Sequence, residues 1–450
     1  MLFLHLFYFL VGAASCIFFI VFAVESIREN KRRAVAFSLL FGIVIAALWI
    51  GWFMLFSGVV TLVLPPVATI LFGLAFFLPI GKVSSLVMRD TGERMDERDV
   101  VFAREEYAPE TTRYEEYYGS HPELKSIDDK IRCLPELLQP GAKFYDPVVS
   151  PRVDSVFEEI ECLTTKVDGD VAGHRKALDP AKATTDIKQL VLEMGADEVG
   201  IARLNKAHIY SHVGRGPEEY GKLIENNHNF AIAFTVEMRY EKVEQAPYIG
   251  ITGESADRYL RAARISIELA GRIRAMGYPA RAHIAGSNYQ IILPAVAHDA
   301  GLGELGRHGY LISRRFGSRV RLGAVTTDIP LITDRPITFG VQDFCDVCLK
   351  CATACPSASI PKGEKTAVRG VEKWLLHPES CLHYWRTIGT DCGLCMKVCP
   401  YSHPSTFVHR VIRAGISRSA FARRVSAAGD TLFYGKGTFN SSMSPNTQEI

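Results

Sequence analysis

The chain has 450 residues, with 51 Lys and Arg against 49 Asp and Glu, for a formal net charge of +2. At roughly 150 residues per domain that length accommodates two or three domains, and near-neutrality gives bulk charge no part in nucleic-acid binding. Eleven cysteines in a chain this long favour a reducing compartment over an exported disulfide scaffold.

The first fifth is apolar. Residues 1–24 and 34–81 contain no Asp, Glu, Lys or Arg, and the second run is 48 residues long. As one helix it would reach about 72 Å, far beyond a hydrocarbon core of about 30 Å, so it folds back. Ser57-Gly58 and Pro65-Pro66 are the candidate breaks. Residues 1–82 are therefore expected to form three membrane spans, about 2–24, 35–56 and 60–81. Arg28, Lys31, Arg32 and Arg33 lie between the first two spans, Lys82, Arg89 and Arg94 follow the third, and residues 57–60 carry no Lys or Arg. The positive-inside rule then puts the N-terminus outside and the rest of the chain in the cytoplasm, as a multi-pass protein of the cytoplasmic membrane. The first 15 residues have no twin-arginine pair and no positive n-region, which argues against a cleaved export signal.

Residues 83–183 read as a polar linker and wrapping segment, with a Tyr/Glu-rich stretch from Arg104 to Ser120. Residues 184–335 alternate between helical and strand patterns. TDIKQLVLEMGAD reads as a helix, EVGIARL and HNFAIAFTVEM as strands, and ADRYLRAARISIELAGRIRAMGY as a long helix with Leu260, Ala263, Ile267 and Ala270 on one face. YPARAHI, HGYLIS and VRLGAVTTDI are further strands. This order favours an α/β sandwich. Gly301-Leu-Gly303-Glu-Leu-Gly306 matches G-x-G-x-x-G, yet the preceding IILPAVAHDA reads as a helix and the downstream stretch carries Arg319 and Arg321. A dinucleotide site needs a preceding strand and a downstream acid. Glycines permitting tight backbone turns beside a flat cofactor fit better.

Residues 336–409 hold eight cysteines in two groups. The first reads CDVCLKCATACP (Cys345, Cys348, Cys351, Cys355), and the second runs from Cys381 to CGLCMKVCP (Cys392, Cys395, Cys399). The C-x2-C-x2-C-x3-C-P run is the 4Fe–4S spacing of two-cluster bacterial ferredoxins, whose fourth cysteine serves the other cluster. One 4Fe–4S cluster is thus expected on Cys345, Cys348, Cys351 and Cys399, and a second on Cys355, Cys381, Cys392 and Cys395. Zinc ligand sets rarely carry a third cysteine at x2 with a terminal Cys-Pro. Cys16, Cys133 and Cys162 show no ligand spacing. Residues 410–450 read as a basic tail bearing Arg410, Arg413, Arg418, Arg423 and Arg424.

From about 190 to 405 the sequence resembles the reductive dehalogenases. The phrases that carry the likeness are ADEVGIARL, HNFAIAFTVEM, RYLRAARISIELAGRIRAMGYPA, GLGELGRHGYLIS, FGSRVRLGAVTTDIPL and the two cysteine groups, with ERDVVFARE upstream. The resemblance implies a nitroreductase-like α/β sandwich that binds cobalamin base-off, then an α+β ferredoxin-like two-cluster domain, here behind a three-helix transmembrane segment. It implies Tyr259 as proton donor, Arg321 as its cationic partner and Asn288 as a pocket residue, with Gly301, Gly303, Gly306 and Arg307 against the cofactor. Phenols ionise near pH 10, so such a tyrosine needs a neighbouring cation to stabilise its phenolate, and Arg319 competes with Arg321 for that place. Two departures stand out: ESADRY replaces the usual Gly-Tyr-Ser phrase, and Leu260 stands where Ser is usual. The expected activity is reductive removal of halide from a small organohalide, with electrons from a ferredoxin, a flavoprotein or quinol passing through both clusters. The alternatives are an epoxyqueuosine-reductase-like cobalamin enzyme and a ferredoxin-like electron carrier without catalysis.

Overall fold

A computed structural model describes residues 1–437 except 57, 90, 287 and 288. The chain divides into two compact units: one comprises Met1–Ser85, Thr338–Ala354 and the chain from His403 onward, the other Leu86–Ile337 and Cys355–Ser402.

The first three helices are α1 (Leu2–Arg28), α2 (Arg32–Leu55) and α3 (Val59–Phe77), each long and apolar enough to cross a membrane. The chain reverses at Gly58, whose φ of +96° suits a residue without Cβ; Ser57 lies outside the described residues. Pro65-Pro66 does not break the chain. Both prolines sit inside α3, where they remove two i→i−4 bonds without ending the helix.

Residues 83–183 are folded rather than linker-like, into α4 (Val101–Arg104), α5 (Thr112–Ser120), α6 (Pro122–Arg132) and α7 (Val149–Cys162). The Tyr/Glu-rich stretch builds its own small core from Tyr107, Tyr114, Tyr117 and Tyr118. Their hydroxyls find acceptors, Tyr114 on Asp129 at 2.8 Å and Tyr118 on Asp128 at 2.9 Å, so the aromatic rings are buried without stranding a polar group.

The α/β sandwich expected from the alternating pattern follows. Its elements are α8 (Pro180–Glu193), β1 (Glu198–Arg203), β2 (Phe230–Glu237), α9 (Tyr240–Val243), α10 (Ile249–Ala275), β3 (Ala280–His283), α11 (Leu293–Asp299), β4 (Gly303–Leu305), β5 (Leu311–Ser313) and β6 (Val320–Thr327). Four strands pair in the order β1-β2-β6-β3, antiparallel throughout. Strand periodicity of two separates the faces. Ile232, Phe234 and Val236 join the core against α8 and α10, while Ala231 and Ala233 pack with Leu293, Val296 and Ala297 of α11. Bulky residues on one face and alanines on the other let a 27-residue helix and a short one cover the two sides. Tyr259 lies in the third turn of α10, not at its head, because the helix begins ten residues earlier, at Ile249.

Next come α12 (Val341–Cys348) and α13 (Lys350–Ala354) in the first unit, then β7 (Thr366–Val368), β8 (Val371–Lys373), α14 (Pro378–Ile388) and α15 (Leu394–Lys397) in the second. The stretch read as a basic tail folds into α16 (Phe407–Ile416) and α17 (Ala420–Tyr434). Its arginines are partly consumed inside the first unit. Arg423 is 4% exposed, donates to the carbonyls of Ile416 and Lys82, and lies 3.5 Å from Asp343. Glu25, near the end of α1, accepts the backbone N–H groups of Phe407 and Val408 at the start of α16, where a carboxylate also complements the helix dipole.

Candidate active site

Four of the eight motif cysteines meet in the second unit. Cys355 follows α13, Cys381 lies on α14, and Cys392 and Cys395 flank the start of α15, where Cys392 (φ +56°) and Gly393 (φ +69°) are both left-handed. That turn brings the two ends of CGLC to one side. All four cysteines line a cavity of about 290 Å³, together with Val101, Phe102, Ile360, Leu376 and Leu382. Burial, reinforced by Cys355, pushes the Cys381 thiol up to about 11, and burial, reinforced by Cys381, pushes the Cys392 thiol up to about 12. Two such thiols do not ionise together without a cationic centre beside them. The donor set and a space larger than one zinc ion requires both fit a 4Fe–4S cluster. Cys345 and Cys348 lie on α12 and Cys351 on α13 in the first unit, while Cys399 belongs to the second.

Arg321, on β6, is 8% exposed. Its Cζ sits 4.8 Å from the centroid of the Tyr259 ring. Nη2 donates to Ser255 Oγ at 2.6 Å and to Asp391 Oδ2 at 3.2 Å, and Nε has no partner among the described residues. Ser255 Oγ donates in turn to Asp391 Oδ2 at 2.6 Å, and Thr252 Oγ1 to Asp391 Oδ1 at 2.9 Å. Helix α10 thus supplies Tyr259, Ser255 and Thr252 from one side, β6 supplies the cation, and the residue before Cys392 supplies its counter-charge. Burial alone would lower the Arg321 pKa, but Tyr259 and Asp391 together raise it. Arg319, the competing choice, is spent elsewhere: Nη1 pairs with Glu237 at 2.9 Å and Nε donates to the Ser402 carbonyl at 2.6 Å. Asn288 lies outside the described residues.

Tyr289 and Tyr310 join this group. Both keep partial exposure, yet burial raises both phenols far above the ordinary tyrosine range, with Tyr259 adding to the shift in each case. Tyr210, also half-buried, is pushed up to about 12, again mainly by burial. Sequence reasoning missed Ser255, Thr252, Asp391, Tyr289 and Tyr310. The available signal was adjacency: Asp391 precedes a cluster cysteine, Tyr289 follows Asn288, and Tyr310 closes the GRHGY phrase.

The glycine phrase has a local explanation. The preceding segment is helix α11 and Gly303 itself begins β4, so no strand–turn–helix dinucleotide loop exists here. Gly301 has φ +75°, and a Cβ on Gly303 would strike the Ile312 carbonyl across the β4–β5 hairpin. A Cβ on Gly306 would lie 2.7 Å from Ile312 Cδ1 and 2.9 Å from His308 Cε1. Arg307 donates through Nη1 to the carbonyls of Pro361 and Gly363, both at 2.9 Å, and lies over the Trp374 ring. His308 is buried. Its Nδ1 accepts the Tyr310 N–H at 3.2 Å, and burial pushes its pKa down to about 4.

A second polar cluster lies in the first unit. Glu29, His403 and His409 bring three ligand atoms within 4.8 Å of one another. The two imidazoles stack at 4.6 Å with planes 8° apart, so their in-plane lone pairs do not converge on one ion. They pair instead with carboxylates, His409 with Glu29 at 2.8 Å and His403 with Asp430 at 2.9 Å.

Comparison with known proteins agrees with this geometry. A family model described as a 4Fe-4S dicluster domain matches residues 344–403. The tetrachloroethene reductive dehalogenase of Sulfurospirillum multivorans is 32% identical over 292 residues, 57% of this chain and 58% of that protein. A solved reductive dehalogenase structure, said to suggest a mechanism for B12-dependent dehalogenation, superposes with a TM-score of 0.64 at 28% identity, over 81% of this chain and 50% of that one. The catabolic reductive dehalogenase NpRdhA in complex with 3-bromo-4-hydroxybenzoic acid gives a TM-score of 0.61 at 27% identity, with the same coverage. The chain therefore spans about half the length of the relatives it matches. In sequence and in architecture alike, the chain is a homologue of the reductive dehalogenases and carries their fold with its 4Fe–4S dicluster region.

Proposed function

We propose that this chain is a membrane-anchored reductive dehalogenase that converts an organohalide to the hydrogenated product and free halide, consuming two electrons and one proton. The observation that carries the reading is buried Arg321 over the half-buried Tyr259 ring, with Arg321 Nε unpartnered among the described residues, beside the four-cysteine cavity. Bound in this unit, a base-off corrinoid would supply the reducing metal and the two 4Fe–4S clusters its single electrons. Tyr310 lines that cavity, and the Tyr259 ring lies under the Arg321 guanidinium. Gly301, Gly303, Gly306 and Arg307 are accounted for by their own backbone and carbonyl contacts, so their expected cofactor role has less support.

The chain's own work is proton delivery and charge stabilisation. The Tyr259 hydroxyl gives its proton to the carbon that loses halogen. The permanent charge of Arg321 then holds the phenolate, and its Nε–H, unpartnered among the described residues, offers the departing halide a charged donor. Asp391 keeps the guanidinium in place through Ser255. Cys345, Cys348, Cys351 and Cys399 would hold the first cluster, and Cys355, Cys381, Cys392 and Cys395 the second. The electron donor is a ferredoxin, a flavoprotein or quinol. The basic residues between α1 and α2 and after α3 support a cytoplasmic catalytic unit.

The test is anaerobic purification in detergent, corrinoid reconstitution, cobalt and iron analysis, and halide release from chlorinated and brominated aromatics. Full iron without cobalt uptake would reduce the protein to an electron carrier. Cobalt uptake without halide release across the panel would return the epoxide-reducing alternative.

A further inference from the structure

His308 belongs to no part of this mechanism, yet its placement is specific. The residue is 4% exposed and lines the same cavity as Cys355, Cys381, Cys392 and Cys395. Its Nδ1 accepts the backbone N–H of Tyr310 at 3.2 Å, which leaves that nitrogen without a proton. The ring hydrogen is therefore on Nε2, and Nε2 is buried with no hydrogen-bond partner among the described residues. A buried donor left unmade is destabilising, so the site is built for an acceptor that the described residues do not provide. The ring's position is also prepared: Gly306 lacks the Cβ that would stand 2.9 Å from His308 Cε1 and 3.3 Å from Nδ1. Apart from Ser357, Ser359, Tyr384, Asp391 and the cysteines, the cavity wall is largely apolar. The serines already bond one another, Ser357 to Ser359 at 2.6 Å and Ser359 to Ser380 at 2.9 Å.

We infer that His308 donates an Nε2–H hydrogen bond to a sulfur of the second 4Fe–4S cluster and thereby sets that cluster's reduction potential above what its apolar pocket alone would give. The inference rests on the proposal that Cys355, Cys381, Cys392 and Cys395 hold a cluster. A donor at sulfur stabilises the reduced, more negative state over the oxidised one, and hydrogen bonds to the sulfurs are among the determinants of cluster potential. The bond opposes the low dielectric of Val101, Phe102, Leu376 and Leu382, which favours the less charged form. Tyr310 fixes the tautomer through its backbone while its side chain lines the same cavity.

The experiment uses the full chain with both clusters in place, reduced, and with its histidines labelled with nitrogen-15. Pulsed EPR reads nitrogen coupling to each reduced cluster, and redox titration reads the two potentials separately. The expected result is a nitrogen-15 coupling on one cluster that disappears in His308→Gln. His308→Leu, which keeps volume but has no donor, should lower that cluster's potential enough to change its reduced-to-oxidised ratio about tenfold at fixed potential, equivalent to 59 mV for one electron. His308→Gln should restore most of the shift through its amide N–H, and the other cluster should not move. Two intact cluster signals with full iron, but no coupling lost in His308→Gln or no shift in His308→Leu, would overturn the inference and leave the cluster assignment standing. Half the expected iron in the unsubstituted protein, with one cluster signal, would overturn both.

Discussion

Substituting Tyr259→Phe isolates one hydroxyl. The ring stays under Arg321, whose Cζ lies 4.8 Å from its centroid, so a cation–π contact of about 0.5–1 kcal/mol is retained. The anchoring of Arg321 is also untouched, because Nη2 is held by Ser255 and Asp391 rather than by the phenol. What disappears is the proton donor. Positioned acid catalysis contributes about 10²–10⁴-fold, and at about 1.36 kcal/mol per tenfold the barrier should rise by about 2.7–5.5 kcal/mol. The assay is single-turnover halide release from reduced enzyme, with cobalt and iron contents matched to the unsubstituted protein. Cofactor content should be unchanged while the rate falls at least about a hundredfold. A rate within about threefold, at equal cofactor loading, would show that the proton comes from elsewhere and that the Arg321–Tyr259 pair is packing.

Four further outcomes follow from the same geometry. Arg321→Lys keeps a charge but loses the planar donor set and the free Nε–H, and should slow halide release by about 10²–10³-fold, the cost of removing one donor to developing charge. Asp391→Asn breaks a pair whose side chains are 10% and 11% exposed and should destabilise the second unit by about 3–5 kcal/mol, measured by anaerobic denaturant titration. An unchanged midpoint would mean that Ser255 alone anchors Arg321. Cys348→Ser and Cys395→Ser should each lose one cluster's iron and leave the other's EPR signal; full iron in either would displace that ligand assignment. The pH dependence turns on His283, fully buried with Nε2 bonded to Thr326 Oγ1 at 2.9 Å, and held well below the ordinary histidine pKa first by burial and then by Arg281. A histidine with depressed pKa is neutral when folded but takes up a proton when unfolded. Stability is therefore complete above about pH 6.5 and falls below it at up to about 1.4 kcal/mol per pH unit. His283→Gln should flatten that slope; an unchanged slope would assign it to other groups.

Much of the fold is written locally. Charge-free runs longer than a bilayer is thick gave the apolar helices, and alternation of helical and strand patterns gave the sandwich. The cysteine groups were legible because x2 spacing leaves few alternatives once Pro closes each run. Residues 101–162 were not legible, because Tyr and Asp in a polar stretch look solvated until Asp128 and Asp129 are seen to accept the tyrosine hydroxyls. α16 and α17 were missed for a similar reason: arginines read as a basic tail, whereas Arg423 is buried on backbone carbonyls. At the site, sequence could name Tyr259 and Arg321 only by resemblance and could not separate Arg321 from Arg319. The separation depends on Glu237 and Ser402, residues distant in sequence. Nothing in a linear pattern reports that a Tyr310 amide fixes the tautomer of His308.

The apolar N-terminal helices are not a detachable leash. Phe22 packs on Phe433 at 4.9 Å and Phe72 on Phe421 at 5.4 Å, Ser419 donates to the Ala75 carbonyl, and Arg33 donates to the Leu432 carbonyl. Cutting the chain after residue 82 to obtain a water-soluble enzyme would strip those aromatic faces bare and leave the Phe407 and Val408 amides without Glu25. The shortened protein would then be prone to clump, and recovery of active material calls for amphiphile-solubilised, uncut chain.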